Sequence, residues 1–289
     1  MKALFGFLRS VSPRSAPRHG APAQDAEVIG LCRFSYPALG GFQKQHDSPE
    51  ARARYLYDPA RLDERFRLFE AVTLAGIRGQ TDPDFLFLVV IGQDFPRRDR
   101  LERLLADIPQ ARILAYPPRQ HRPVMQEAIN SQRNPDAPLS LQFRLDDDDG
   151  VNLRFVERLR EVSRQARPLI RSRPMTAIDF NHGHVFRASS RGIEAERVTR
   201  AYWAPGLAVA VRRGNPRTVM NFGHHLLWQH MPTLTLTDRD MFLRGMNPFN
   251  DSEFKAGETF GLLDAEGEAA FRATYGVDAG RVRALWRES

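Results

Sequence analysis

The first half of the chain alternates apolar runs with amphipathic ones. EVIGLCRF (27–34) is rich in strand formers and runs into SYPALGGFQ, where Pro37, Gly40 and Gly41 mark a loop. In YDPARLDERFRLFEAVTLAGIRGQ, Asp58 is suited to be an N-cap and Pro59 to the first helical position, where its missing N–H is not needed. Leu62, Phe66, Phe69 and Val72 then recur at helical spacing. DFLFLVVIG (84–92) is almost continuously apolar, as in a strand buried on both faces of a parallel sheet. RRDRLERLLADIP predicts an amphipathic helix through Leu101, Leu104, Leu105 and Ile108, and ARILAYPP a short strand. PVMQEAINSQ reads as a helix and LSLQFRL (139–145) as a strand. NLRFVERLREVSRQAR is amphipathic again, through Leu153, Val156 and Leu159.

Four strand–helix repeats in a row predict βαβ units and a parallel sheet. The second half is less regular. MTAIDF, NHGHVF, LAVAVRR and PTLTLTD suggest strands, TVMNFGHHLLWQHM a loop entering a helix, and EAAFRATYG a short late helix. The expected fold class is α/β: a Rossmann-type, mostly parallel sheet flanked by helices, with a mixed, partly antiparallel C-terminal edge. Residues 1–26, rich in Pro, Ala and Arg, are expected to form a flexible basic tail. Residues 27–289 contain no evident linker and are expected to form one domain.

Composition narrows the function. At 42% hydrophobic and 27% charged residues the chain is of ordinary globular type. The formal net charge of +7 invites a nucleic-acid reading. Lysine, however, occurs only at Lys2, Lys44 and Lys255, and the arginines are dispersed rather than gathered with aromatics. Such diffuse basicity suits an anionic small substrate or membrane surface, and nucleic acid is not an expected partner. The single cysteine, Cys32, excludes an intrachain disulfide and reads as a buried thiol. The cytosol is the expected compartment. No apolar run reaches the roughly 18 residues of a membrane span, although MKALFGFLRS could touch the inner face of a membrane peripherally.

The concentrated chemistry lies in LQFRLDDDDGVN (141–152), with four consecutive aspartates after a strand. Ligands of open α/β sheets bind beyond the carboxyl ends of the strands. While the extended backbone lasts, Asp146 and Asp148 would share one side and could flank a hard divalent cation, Mg2+ or Mn2+. An EF-hand is excluded, because Val151 stands where its loop needs glycine. A solvated acidic turn, a helix N-cap and a metal-dependent phosphoesterase are the other readings of the run.

The strand followed by RLDDDDG resembles the D-x-D region of GT-A nucleotide-sugar glycosyltransferases. QTDPDFLFLVV, LQFRLDDDDGVNLRFVERL, NFGHHLLWQHMPTLTLTD and MFLRGMNPFNDS together resemble a bacterial rhamnosyltransferase family, over roughly residues 28–255. The resemblance implies a GT-A-like fold and metal-assisted transfer of a sugar from a nucleotide-diphosphate donor to a glycan or other hydroxyl acceptor. The family name implies a dTDP-rhamnose donor, and polysaccharide biosynthesis as the setting. It also implies metal or ribose contact at Asp146, metal contact at Asp148, and an additional acid at Asp149. Asp147 and Asp149 satisfy D-x-D equally well, which makes Asp147 a further donor-binding candidate. Arg33, Phe34 and Ser35 at the first strand's exit, and Gln93 and Asp94 at the second, match the positions where such enzymes hold the nucleotide.

Departure of a diphosphate calls for compensating charge, for which Arg144, Arg119 and Arg122 are placed in suitable segments. An inverting transfer also needs a base for the acceptor hydroxyl. His224 or His225 in FGHHLLW, and Asp251 in NDS, are the candidates. His182 and His184 alternate in NHGHVF and could share a metal, while Trp203 and Trp228 suit either core packing or sugar stacking. No G-x-S-x-G elbow, P-loop or dinucleotide fingerprint is present. A non-catalytic module binding nucleotide or glycan is the remaining alternative.

Overall fold

The structure, a computed structural model, describes residues 26–40, 48–250 and 260–287. The expected tail, apart from Ala26, and Asp251 lie outside the described residues.

The seven-stranded sheet is built first from β1 (Glu27–Arg33), β2 (Leu86–Gly92), β3 (Ala111–Tyr116) and β4 (Leu139–Asp146). Between β1 and β2 lie the helices α1 (Pro49–Leu56), α2 (Pro59–Leu68) and α3 (Leu74–Arg78), the last two joined through a π-helical turn at Phe69–Thr73. The helices α4 (Arg98–Leu105) and α5 (His121–Gln132) make the next two crossovers. Asp58 caps α2, accepting from the Arg61 N–H at 3.0 Å, and Pro59 follows it. The short β5 (Gly150–Val151) leads into α6 (Phe155–Gln165) and α7 (Arg167–Ser172).

The chain then forms β6 (Met175–Phe180), the hairpin β7 (His182–Ser189) and β8 (Gly192–Thr199), β9 (Leu207–Arg212), β10 (Thr233–Leu236), β11 (Phe242–Gly245) and β12 (Gly261–Leu262), before α8 (Ala265–Tyr275) and α9 (Ala279–Arg287). The large sheet has the order β10-β6-β9-β4-β1-β2-β3, with β9 antiparallel to both neighbours and the other pairs parallel. This is the expected GT-A-like architecture, a mostly parallel sheet with a mixed C-terminal edge. A second sheet, β12-β8-β7-β11-β5, is the departure. Its strands carry charges and histidines on the half-exposed face, and two are only two residues long. TVMNFGHHLLWQHM, expected to enter a helix, forms two short 3-10 segments, Val219–Asn221 and His224–Gln229, instead of an α-helix.

One face of the large sheet packs Phe87, Val89, Leu141 and Phe143 against Leu62, Phe66, Phe155 and Leu159 of α2 and α6. The other face packs Leu88, Val90 and Val209 against Val124, Met125 and Ile129 of α5. A third cluster, including Phe186, Leu243, Phe271 and Val282, closes the second sheet beneath α8 and α9. Among the described residues no helix is long and apolar enough to cross a membrane.

Candidate active site

The first and fourth strands stand side by side in the sheet, with Arg33 in register with Asp146 at their carboxyl ends. Strand geometry ends at Asp146. The next two aspartates form a turn, closed by the Asp149 N–H donating to the Asp146 carbonyl at 3.2 Å. The alternation expected to aim Asp146 and Asp148 together therefore stops one residue too early, and each carboxylate finds partners of its own.

Asp146 Oδ1 meets Arg33 Nη2 at 3.2 Å, and its Oδ2 lies 3.8 Å from Arg244 Nη1. Asp147 Oδ2 accepts from the Ser35 N–H at 3.2 Å and Ser35 Oγ at 3.4 Å, while its Oδ1 takes Arg65 Nη1 at 3.0 Å. The same Arg65 nitrogen lies 2.8 Å from Asp148 Oδ2, which Asn247 Nδ2 also reaches at 2.8 Å. Asp149, fully buried, holds Arg244 Nη1 with both oxygens and accepts from the Gly245 N–H at 3.1 Å. The charges behind the four aspartates are thus arginines from α2, β1 and β11. Burial drives the Asp146 carboxyl up, but Arg33, Arg244, Arg144 and Arg65 together hold it well below the usual carboxylate range. Burial and the adjacent Asp148 and Asp146 push Asp149 up to about 7, against Arg244.

The second sheet brings Arg244 here. β11 pairs antiparallel with β5, Leu243 facing Gly150 immediately after the turn. Gly245 passes so close that a Cβ on it would lie 2.2 Å from the Asp148 carbonyl oxygen. Thr73 Oγ1 of the π-helical turn ties the Asp149 carbonyl from the other side at 2.7 Å.

Above the strand ends lies a cavity of about 1600 Å3, lined by Arg33, Arg67, Arg122, Arg144, Arg187 and Arg244. Among the described residues, two acids, Glu64 and Asp146, join them in its wall. His121, His224, His225 and Trp203 also line it. A smaller cavity of about 70 Å3 sits beside the turn and touches Asp146, Asp147 and Asp148 together with Arg33, Arg61, Arg65 and Arg244. His224 Nδ1 lies 2.5 Å from the Tyr202 carbonyl. Burial, reinforced by Arg144, lowers its pKa to about 4. His121 is lowered to about 3 by burial and by Arg33 and Arg144.

The donor set suits a hard divalent cation. Asp148 Oδ1 is buried without a hydrogen-bond partner among the described residues, and Asp146 lines both cavities. Among the described residues no three His, Cys, Asp or Glu side chains are grouped to hold a metal, so Mg2+ or Mn2+ would need substrate oxygens and water to complete its octahedron.

Other expected positions fall elsewhere. Phe34 turns away from the site into the core, its ring 4.8 Å from Phe69 and 5.0 Å from Phe66, because the strand's last residues alternate across the sheet. Gln93 and Asp94 are exposed in the turn after β2 and line neither cavity. Arg119 pairs with Glu127 on the surface, whereas Arg122 reaches the large cavity. His182 meets Arg197, and His184 meets the Tyr275 hydroxyl at 3.0 Å, so the two share no ligand position. Trp228 is 59% exposed, not packed in the core. Arg65, Arg244 and Asn247 were not singled out from the sequence. Arg61 and Arg65 did leave a signal: both fall on the apolar face of α2, beside Leu62 and Phe66, where an unpaired charge would be costly.

Residues 27–259 match the family described as "Putative rhamnosyl transferase", and the chain belongs to that family. Comparison with curated proteins finds no match. Among solved structures, S. aureus TarS 1–349 in complex with UDP is similar at 10% identity and a TM-score of 0.41, covering 77% of this chain and 61% of that one. The same TarS segment with UDP-GlcNAc gives 10% identity, a TM-score of 0.38 and coverage of 78% and 60%. A "putative nucleotide-diphospho-sugar transferase" from Desulfovibrio desulfuricans G20 gives 9% identity, a TM-score of 0.38 and coverage of 92% and 95%. The chain spans about 60% of the length of the TarS segment.

Proposed function

We propose that the chain is a metal-assisted glycosyltransferase that moves a sugar from a nucleoside-diphosphate donor to a hydroxyl of a glycan or similar acceptor. The observation that carries this reading is the arginine-lined cavity at the carboxyl ends of β1 and β4, with Asp146 on its wall and His224 beside it. The family's description favours rhamnose, hence a dTDP-rhamnose donor.

Arg33, Arg144 and Arg244 face the space where a diphosphate would lie and would stabilise the charge that grows on it as it leaves. Asp146 and the free Oδ1 of Asp148 would hold Mg2+ or Mn2+, which supplies further compensation of the same charge. Asp147 keeps Ser35 and Arg65 in place and acts on the donor only through them. The acceptor hydroxyl would give its proton to His224 Nε2 as its oxygen attacks the anomeric carbon. The carbon–oxygen bond to the diphosphate breaks, its electron pair staying with the nucleoside diphosphate, and attack from the far side inverts the anomeric centre. In a 3-10 helix residues three apart eclipse, so Trp228 shares a side with His225. Its Nε1 donates to the His225 carbonyl at 3.0 Å, leaving the indole face open for an acceptor ring.

A thermal-shift panel of nucleoside diphosphates and their sugars, with and without Mn2+, tests the proposal. Stabilisation by a nucleotide that grows with Mn2+, and that disappears in the Asp146→Asn/Asp148→Asn double variant, is expected. A protein that responds to no nucleotide under any of these conditions would overturn it.

A further inference from the structure

Asp179 is fully buried near the end of β6 and has no part in the donor chemistry above. Its Oδ1 accepts from the Tyr202 N–H at 2.9 Å. Its Oδ2 takes Thr235 Oγ1 at 3.4 Å from β10, where Thr235 is its register partner. Tyr202 has φ +60, in the left-handed region that side chains with a Cβ adopt only when their surroundings hold them there. The carbonyl of this same residue meets His224 Nδ1. A carbonyl only accepts, so the proton sits on Nδ1, and Nε2 keeps the lone pair. Residue 202 is thereby gripped at both ends, at its N–H by Asp179 and at its carbonyl by His224.

We propose that Asp179 is a positioning residue for His224, acting through the backbone of Tyr202. It holds the strained turn whose carbonyl selects the Nδ1–H tautomer and leaves Nε2 as the basic nitrogen at the cavity. The role in transfer rests on the reading of His224 as the base; the role in setting the tautomer does not. The charged and titratable groups facing His224 are Arg144, His225 and Asp146. Among the described residues, Asp179 itself takes hydrogen bonds from the Tyr202 N–H and the Thr235 hydroxyl. A neutral Asn can keep both contacts, its Oδ1 accepting from Tyr202 and its Nδ2 donating to Thr235 Oγ1. An apolar residue can keep neither.

The test is a two-bond 1H–15N correlation spectrum of histidine-labelled full-length protein, followed over pH. The expected wild-type result is a single Nδ1–H tautomer at His224, titrating well below an ordinary histidine. In Asp179→Ala the tautomers should mix, and the midpoint should fall further below that of wild type, because the Tyr202 carbonyl bond that is loosened raises the His224 pKa against burial and Arg144. Asp179→Leu, close in size, keeps the space filled if the alanine variant does not fold, and should behave the same way. Asp179→Asn should resemble wild type. With a donor identified as above, Asp179→Leu should lower kcat on the order of 100-fold with the donor KM little changed. An Nε2–H tautomer in the wild type, or a His224 signal in Asp179→Leu that matches wild type, would overturn the proposal. A protein that never turns over a sugar nucleotide but shows the tautomer shift would retire the transferase reading and leave the positioning intact.

Discussion

Arg244 and Asp149, 95 residues apart in sequence, form a two-pronged pair in which one guanidinium nitrogen lies 3.0 and 3.1 Å from the two carboxylate oxygens. The aspartate side chain has no solvent exposure. Cutting one partner from a buried pair strands the other charge, which typically costs about 3–5 kcal/mol. Arg244→Met should therefore lower stability by about that amount, read from the urea midpoint. A loss under about 1 kcal/mol would mean the aspartate is relieved by something other than this arginine.

Gly245→Ala should be harmful for a separate reason. The new methyl would stand 2.2 Å from the Asp148 carbonyl oxygen, a backbone atom that cannot rotate away. β11 must then shift off β5, at a cost of about 1–3 kcal/mol, and nucleotide-induced stabilisation should weaken with it. Thermal shifts with and without nucleoside diphosphate check both.

His224→Gln should separate chemistry from binding. Loss of a general base lowers turnover about 100- to 10,000-fold, while stabilisation by nucleotide should persist because the arginine cluster is untouched. Equal losses of turnover and nucleotide binding would move His224 from the acceptor side to the donor side.

The pH dependence follows from the same histidine. Burial and Arg144 depress His224 to about 4, so it stays neutral through the mildly acidic range. The acid limb of turnover should fall near pH 4 instead of near 6.5. For stability, a depressed histidine contributes above its unfolded pKa near 6.5 and loses that contribution as pH falls toward 4. Asp179, raised to about 6 by burial, works in the opposite sense: its contribution is present below about 4 and lost as pH rises through 6. Between about pH 4 and 6 the two slopes oppose one another. Asp149, raised to about 7, has the same sign as Asp179, so Asp179→Asn should remove one falling slope and make stability at pH 6 relative to pH 4 higher than in wild type, as pH-dependent melting would show.

The first half of the fold was legible because buried parallel strands print uninterrupted apolar runs, as in LFLVVIG of β2. Of the second sheet only β7 was read, as NHGHVF; GIEAERVT mixes charge with apolar residues and the shortest strands are residue pairs, so nothing local showed a separate sheet. The aspartates stood out in the sequence, but their orientation did not. Strand alternation ends at Asp146, and the arginines that answer them arrive from positions 82 and 95 residues away. Local periodicity carries no information about such partners. The turn's tolerance for close packing also depended on Gly245, whose need is seen only once β11 lies against Asp148.

The pairing of β11 with β5 gives the protein an order of assembly on the ribosome. Arg33 and Arg65 precede the aspartates and are already available when residue 149 emerges, but the partner of Asp149 is still 95 residues from being made. At roughly 5–20 residues per second, that is a wait on the order of 5–20 s with a carboxylate that cannot yet be enclosed. Until β11 pairs with β5, the turn after β4 lacks the arginine that encloses Asp149.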